Sequence, residues 1–184
     1  MGLTIDNLRG ELENRRHEST NGKHFICQHE IKALLTRAVI EEAIRECVQE
    51  YAVPDHQEKI VVDRIFTEGQ IVFGILIWKK WLHKLMSFIE NNALDSQLPL
   101  EISRAEKIAE NVGWDFANNA QWEFLPRTLT KEMNGYHCKF RDEEILPFIG
   151  EAPVGEGNFG DVFKMSVLPS LQTMFPDEVC SRKY

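Results

Sequence analysis

Residues 154–162 read Val-Gly-Glu-Gly-Asn-Phe-Gly-Asp-Val, with glycines at 155, 157 and 160 and a valine at 162. Glycines at this spacing let a backbone bend tightly and come close to phosphate oxygens, because no Cβ stands in the way. The residues after the third glycine separate the possible chemistries. A P-loop needs Gly-Lys-Ser/Thr, so that an ammonium and a hydroxyl reach phosphate and Mg2+; here Gly160 is followed by Asp161-Val162. A dinucleotide fingerprint must open a helix whose amino end holds pyrophosphate. Here Pro169 arrives nine residues after Gly160, and no β-branched parallel strand precedes Gly155. The arrangement that fits is strand, glycine turn, strand: a lid laid over a nucleotide, with Phe159 capping the tip and Val162 packed over the base. Phe148 to Val154 and Asp161 to Val167 supply the two flanking strands. A chance turn in an ordinary β-hairpin is the competing explanation.

The elements that must carry this loop are mostly helical. Residues 1–23 are polar, Ser19-Thr-Asn-Gly22 reads as loop, and the lead is expected to be a frayed helix or a disordered tail. From His24 to about Tyr51 the apolar residues keep helical spacing, but the phase jumps near Thr36, which predicts two helices with Thr36 capping the second. Asp55-His-Gln-Glu58 and Ser103-Arg-Ala-Glu106 both have the capping-box pattern. Val61, Ile65, Val72 and Leu76 form one stripe, in which Gly69 and Gly74 predict an interruption. Trp78, Leu82, Leu85 and Ile89 form another. Ala105, Ile108, Ala109 and Val112 come after the second box, with Gly113 as the expected stop; Trp122 and Phe124 read as buried, and Pro126 breaks any long helix. Beyond Glu144, Pro147, Gly150 and Pro153 punctuate β-compatible residues. The fold class is therefore mainly α: a polar tail at 1–23, a helical module over 24–135, and a partial β-hairpin within 144–184.

Composition narrows the partners. The 184 residues carry 21 Lys+Arg against 29 Asp+Glu, a net charge of −8, which repels phosphate backbones and anionic lipid; neither nucleic acid nor membrane is an expected partner. The longest apolar run, Ile71 to Trp78, stops at Lys79-Lys80, well short of the about 20 residues a membrane helix needs. The amino terminus has no apolar core and mixes acids with bases, so no export signal is read. Cys27, Cys47, Cys138 and Cys180 lie far apart, with no CxxC and no His at zinc-ligand spacing. They are expected to be reduced thiols of an intracellular, cytoplasmic protein.

Other candidates are weaker. His137-Cys138 would face opposite ways on a strand and make a poor thiol–imidazole pair. Glu41-Glu42 and Asp142-Glu143-Glu144 read as solvated surface, and His24, His29 and His83 are too scattered for a metal site. Trp78, Trp81 and Phe88 read as helix core, with a partner-binding groove as the minority alternative.

The stretch Leu146-Pro-Phe-Ile149, followed by Val154 through Met165, resembles the start of the kinase domain in a family of filamentous-fungal serine/threonine protein-kinase-domain proteins. Those proteins also carry a helical amino-terminal region, which this chain resembles at 71–77, 88–100 and 121–125. The resemblance spans roughly residues 24–175. It implies strands 1 and 2 of a kinase amino-terminal lobe, ATP covered by Val154, Gly155, Gly157, Asn158, Phe159, Gly160 and Val162, and Mg2+ in an intact relative. Kinase chemistry also needs a lysine on the next strand, a catalytic Asp, and an Asn and a second Asp for Mg2+, all beyond the glycine loop. Residues 161–184 hold none of these: Lys164 is still on the strand leaving the loop, and Lys183 lacks the surrounding V-A-I-K pattern. The expectation is a truncated or partial kinase-like chain with no catalytic or metal-binding residue of its own and weak ATP contact. The alternative is a helical protein-interaction module with a vestigial loop. A lone two-stranded ribbon is marginal, so residues from about 145 onward are expected to pack weakly unless they dock on the helices.

Overall fold

The computed structural model describes residues 4–51, 55–133, 138–157 and 160–174. Its first helix, α1 (Ile5–Glu13), overturns the expectation of a frayed or disordered lead. Ile5, Leu8 and Leu12 recur at helical spacing and are buried in the main core. Arg9 Nε donates to the Ile77 carbonyl at 2.8 Å, and the Ile5 amide donates to Glu46 Oε2 at 3.0 Å, so the helix is fastened at its start and its middle.

A short antiparallel ribbon comes next, β1 (His17–Glu18) and β2 (His24–Phe25), with Gly22 in the left-handed region at the turn. Then come α2 (Gln28–Leu34) and α3 (Arg37–Tyr51). The break falls at Thr36, whose Oγ1 accepts the Val39 amide at 3.4 Å, as the phase jump predicts. α4 (Glu58–Glu68) is entered through a tight 3-10 turn at Asp55–Gln57, with Gln57 at its cap position; the side chain of Asp55, the expected cap, lies outside what is described.

Gly69 separates α4 from α5 (Gln70–Trp78). The expected interruption falls at Gly69, and Gly74 lies inside α5 without breaking it. A Cβ there would lie 3.4 Å from both Ile31 and Phe124, so the missing side chain lets α2 and the Phe124 segment close on the helix. Every residue from Ile71 to Ile77 is buried, which makes α5 the axis of the core. Its amino end is capped from a distance: the Asp95 carboxylate accepts the Ile71 amide at 3.0 Å and the Val72 amide at 3.0 Å. Burial pushes the Asp95 carboxyl above its ordinary range, against the pull of those amides.

α6 (Leu85–Glu90) carries Leu85, Phe88 and Ile89 into the core, behind a 3-10 turn at Leu82–Lys84. α7 (Ile102–Ile108) begins after Glu101, so Ser103 sits inside the first turn and not at the cap. Gln121 decides this start: its side chain accepts the Leu100 amide at 2.8 Å and donates to the Leu100 carbonyl at 3.0 Å, holding the chain extended up to Glu101. Gly113 does not end α7. It opens α8 (Gly113–Asp115), which runs through a π-turn at Phe116–Ala120 into α9 (Gln121–Glu123). A Cβ at Gly113 would stand 2.3 Å from the Ala105 carbonyl oxygen, so only glycine permits the two segments to approach. The Ala117 carbonyl accepts Gln121 Nε2 at 2.6 Å and Trp122 Nε1 at 3.0 Å.

The chain ends its described course in an antiparallel hairpin, β3 (Phe148–Gly157) and β4 (Gly160–Val167), and a 3-10 turn at Pro169–Leu171. The architecture is mainly α with a partial hairpin, as the sequence predicts. The hairpin's base is docked. The Thr20 amide donates to the Phe148 carbonyl at 2.8 Å, Ser19 Oγ donates to the Leu146 carbonyl at 2.8 Å, and Ile145 and Leu171 join Phe25 and Cys27 in a second small core. Among the described residues no helix is long and apolar enough to cross a membrane.

Candidate functional site

The glycine segment forms the tip of the hairpin. The register pairs Pro153 with Phe163, Gly155 with Val162, Glu156 with Asp161 and Gly157 with Gly160. Asn158 and Phe159 lie outside the described residues. The pairing slips by one between Pro153 and Gly155, leaving Val154 without a partner in a bulge. Pro153 explains the slip, since it has no N–H to give to a ladder. Val154 is 66% exposed and Phe163 46%, so the distal ribbon presents apolar side chains to solvent.

Gly155 differs from Gly69, Gly74 and Gly113, whose added Cβ would meet neighbours. Its backbone lies outside the left-handed region, and among the described residues an added Cβ would meet nothing within 4 Å. Neither turn geometry nor packing requires glycine at this position. Lys164 pairs with Ala152 within β4, the strand still leaving the loop. Cavities of about 390 and 530 Å3 lie along the seam around Trp122, and no hairpin residue lines either.

The structure also brings together three residues that linear spacing does not connect. β1 pairs with β2 so that His17 lies opposite Phe25, and β2 leads through Ile26 into Cys27 at the start of α2. Glu30 sits one turn further along α2. His17 Nε2 lies 3.0 Å from Glu30 Oε2, and that oxygen also accepts the Cys27 amide at 3.1 Å. The donor atoms of His17, Cys27 and Glu30 all fall within 4.8 Å of one another. Cys27 is buried, and its thiol is pushed up to about 12, first by burial and then by the charge of Glu30. Ser170, in the turn that leaves the hairpin, places its hydroxyl 3.9 Å from Cys27 Sγ.

The remaining candidates resolve simply. Cys138 forms no disulfide, and His137 lies outside the described residues. Glu41 pairs with Arg37 at 3.7 Å, and Glu144 with Arg127 at 3.7 Å. Glu144 is less exposed than Glu41 and is not a freely solvated group as expected, because the arginine and the Arg141 amide hold it against the seam. Phe88 is core, its ring 4.8 Å from that of Phe116, while Trp78 and Trp81 pack at the edge of the same core.

No family model, curated protein or solved structure matches the chain.

Proposed function

We propose that this chain carries a nucleotide-covering hairpin of the protein-kinase kind on a helical body, and that these 184 residues contact ATP weakly without transferring phosphate. The observation that supports this most is Gly155: a glycine that the fold itself does not demand, at the open tip of an antiparallel ribbon, in G-x-G-x-x-G-x-V spacing. A small residue there leaves the amide surface free for close approach of a phosphate. Val154 and Val162 would lie against the base, with Gly155, Gly157, Asn158, Phe159 and Gly160 covering the phosphates. The ribbon is one wall only. Phosphoryl transfer depends on a lysine, a base and metal-holding carboxylates placed around the γ-phosphate, and residues 161–184 contain no such set.

A titration with Mg-ATP followed by thermal unfolding tests this. At nucleotide about tenfold above its Kd, the added stability would be about 1.4 kcal/mol, and Gly157→Val should remove it. Unchanged melting at every accessible concentration would refute nucleotide contact. Phosphate transfer at about 1 per second or faster, a rate typical of kinases, would refute the proposed inactivity.

A second reading, a helical module that binds another protein, is favoured by Trp114, 52% exposed on α8, and Ile102, 40% exposed on the adjoining α7. Large apolar side chains open to solvent are the usual anchors of protein contacts. Under this reading the melting is indifferent to Mg-ATP.

A further inference from the structure

We propose that His17, Cys27 and Glu30 form a Zn2+ site with three protein ligands and a fourth position open to solvent. An imidazole, a thiol and a carboxylate converge here, and sulfur with nitrogen selects zinc over the hard cations Mg2+ and Ca2+. Metal–ligand lengths of about 2.0–2.3 Å put neighbouring donors of a tetrahedral site about 3.3–3.6 Å apart. His17 Nε2 and Glu30 Oε2, at 3.0 Å, need to part by only a few tenths of an ångström. The two side chains keep 29% and 24% exposure, which opens a path for the ion, while Cys27 forms the buried floor.

The surrounding groups suit a loaded site. The Cys27 amide anchors Glu30 Oε2 at 3.1 Å, fixing the carboxylate on the first turn of α2. Ser170 directs its hydroxyl at Sγ, and such an outer hydrogen bond stabilises a metal-bound thiolate. On binding, a Zn–S bond forms as the S–H bond breaks and that proton passes to buffer; the proton shared between His17 Nε2 and Glu30 Oε2 leaves the contact, to Nδ1 or to buffer, as both atoms turn their lone pairs to the ion. Because Ser170 lies in the turn leaving the hairpin, the ion would tie the base of the ribbon to the helical body. This site is independent of the nucleotide proposal.

The test uses the full chain, stripped with a chelator and titrated with Zn2+ in competition with a chromophoric chelator, then with Co2+ as a spectroscopic probe. The expected result is one equivalent per chain and a cobalt spectrum with tetrahedral d–d bands and a thiolate charge-transfer band. His17→Ala and Cys27→Ser should each weaken binding at least about 100-fold, more than loss of an outer partner costs, and the second should abolish the charge-transfer band. Cys138→Ser should change nothing. Circular dichroism checks that each variant is folded; should Cys27→Ser fail to fold, the half-exposed His17→Ala decides alone. Absence of stoichiometric binding, binding indifferent to His17→Ala, or a charge-transfer band that disappears with Cys138→Ser would each overturn the site.

Discussion

At Gly113 an added Cβ would stand 2.3 Å from a backbone oxygen, and at Gly155 it would meet no described atom within 4 Å. The same residue type serves opposite ends in the two regions. In the body, glycine lets α7 and α8 touch, within a core where Phe73, Phe88, Phe116 and Phe124 are fully buried. In the distal ribbon nothing is closed by its absence of a side chain, and the residues around it, from Glu151 to Gly155, are exposed. Packing accounts for Gly69, Gly74 and Gly113 and a left-handed turn for Gly22, while Gly10, on the exposed face of α1, is as open as Gly155. Packing does not account for Gly155 either, and what sets it apart from Gly10 is its place in the G-x-G-x-x-G-x-V spacing.

Substitutions can break or sharpen that contrast. The largest effect is expected for Phe116→Ala, which empties a fully buried site against Phe88 and should cost about 3–5 kcal/mol in denaturant unfolding. Gly113→Ala comes next, at about 3 kcal/mol, because the clash is with main chain and cannot be relieved by a rotamer. Asp95→Ala should cost about 1–2 kcal/mol by uncapping the Ile71 and Val72 amides. Asp95 also makes a signed prediction about pH. Its folded carboxyl is raised above the ordinary 3.8 by burial, so the folded state holds its proton more tightly than the unfolded chain. The stability of the wild type relative to Asp95→Asn should therefore increase as pH falls through the raised value towards 3.8, which paired urea titrations would measure. The smallest effect is expected for Gly155→Ala, within about 0.5 kcal/mol of wild type. A loss comparable to that of Gly113→Ala would erase the distinction between the regions.

Local signals were legible in the sequence. The breaks at Thr36 and Gly69, the stripe through Val61, Ile65, Val72 and Leu76, and the strand–turn–strand around 154–162 each depend on residues a few positions apart. The features that escaped it depend on distant partners. α1 has only three buried anchors among polar neighbours, and its docking depends on α5. Ser103 has the right residues for a cap, but Gln121 starts the helix earlier. Asp95 caps a helix that begins at Gln70, from well along the chain. His17, Cys27 and Glu30 match no linear ligand pattern, because the β1–β2 ribbon is what returns His17 to Cys27. The Cys-x-x-Glu spacing on one helical turn was the only local hint.

Hydrogen exchange followed by mass spectrometry, with and without Mg-ATP at millimolar concentration, tests the nucleotide-covering hairpin most directly. The expected result is rapid exchange in 151–157 and 160–167 of the free chain, slowed by nucleotide, with α5 protected alike in both samples. Hairpin amides that exchange identically with and without nucleotide, or nucleotide protection confined to the helical body, would contradict it.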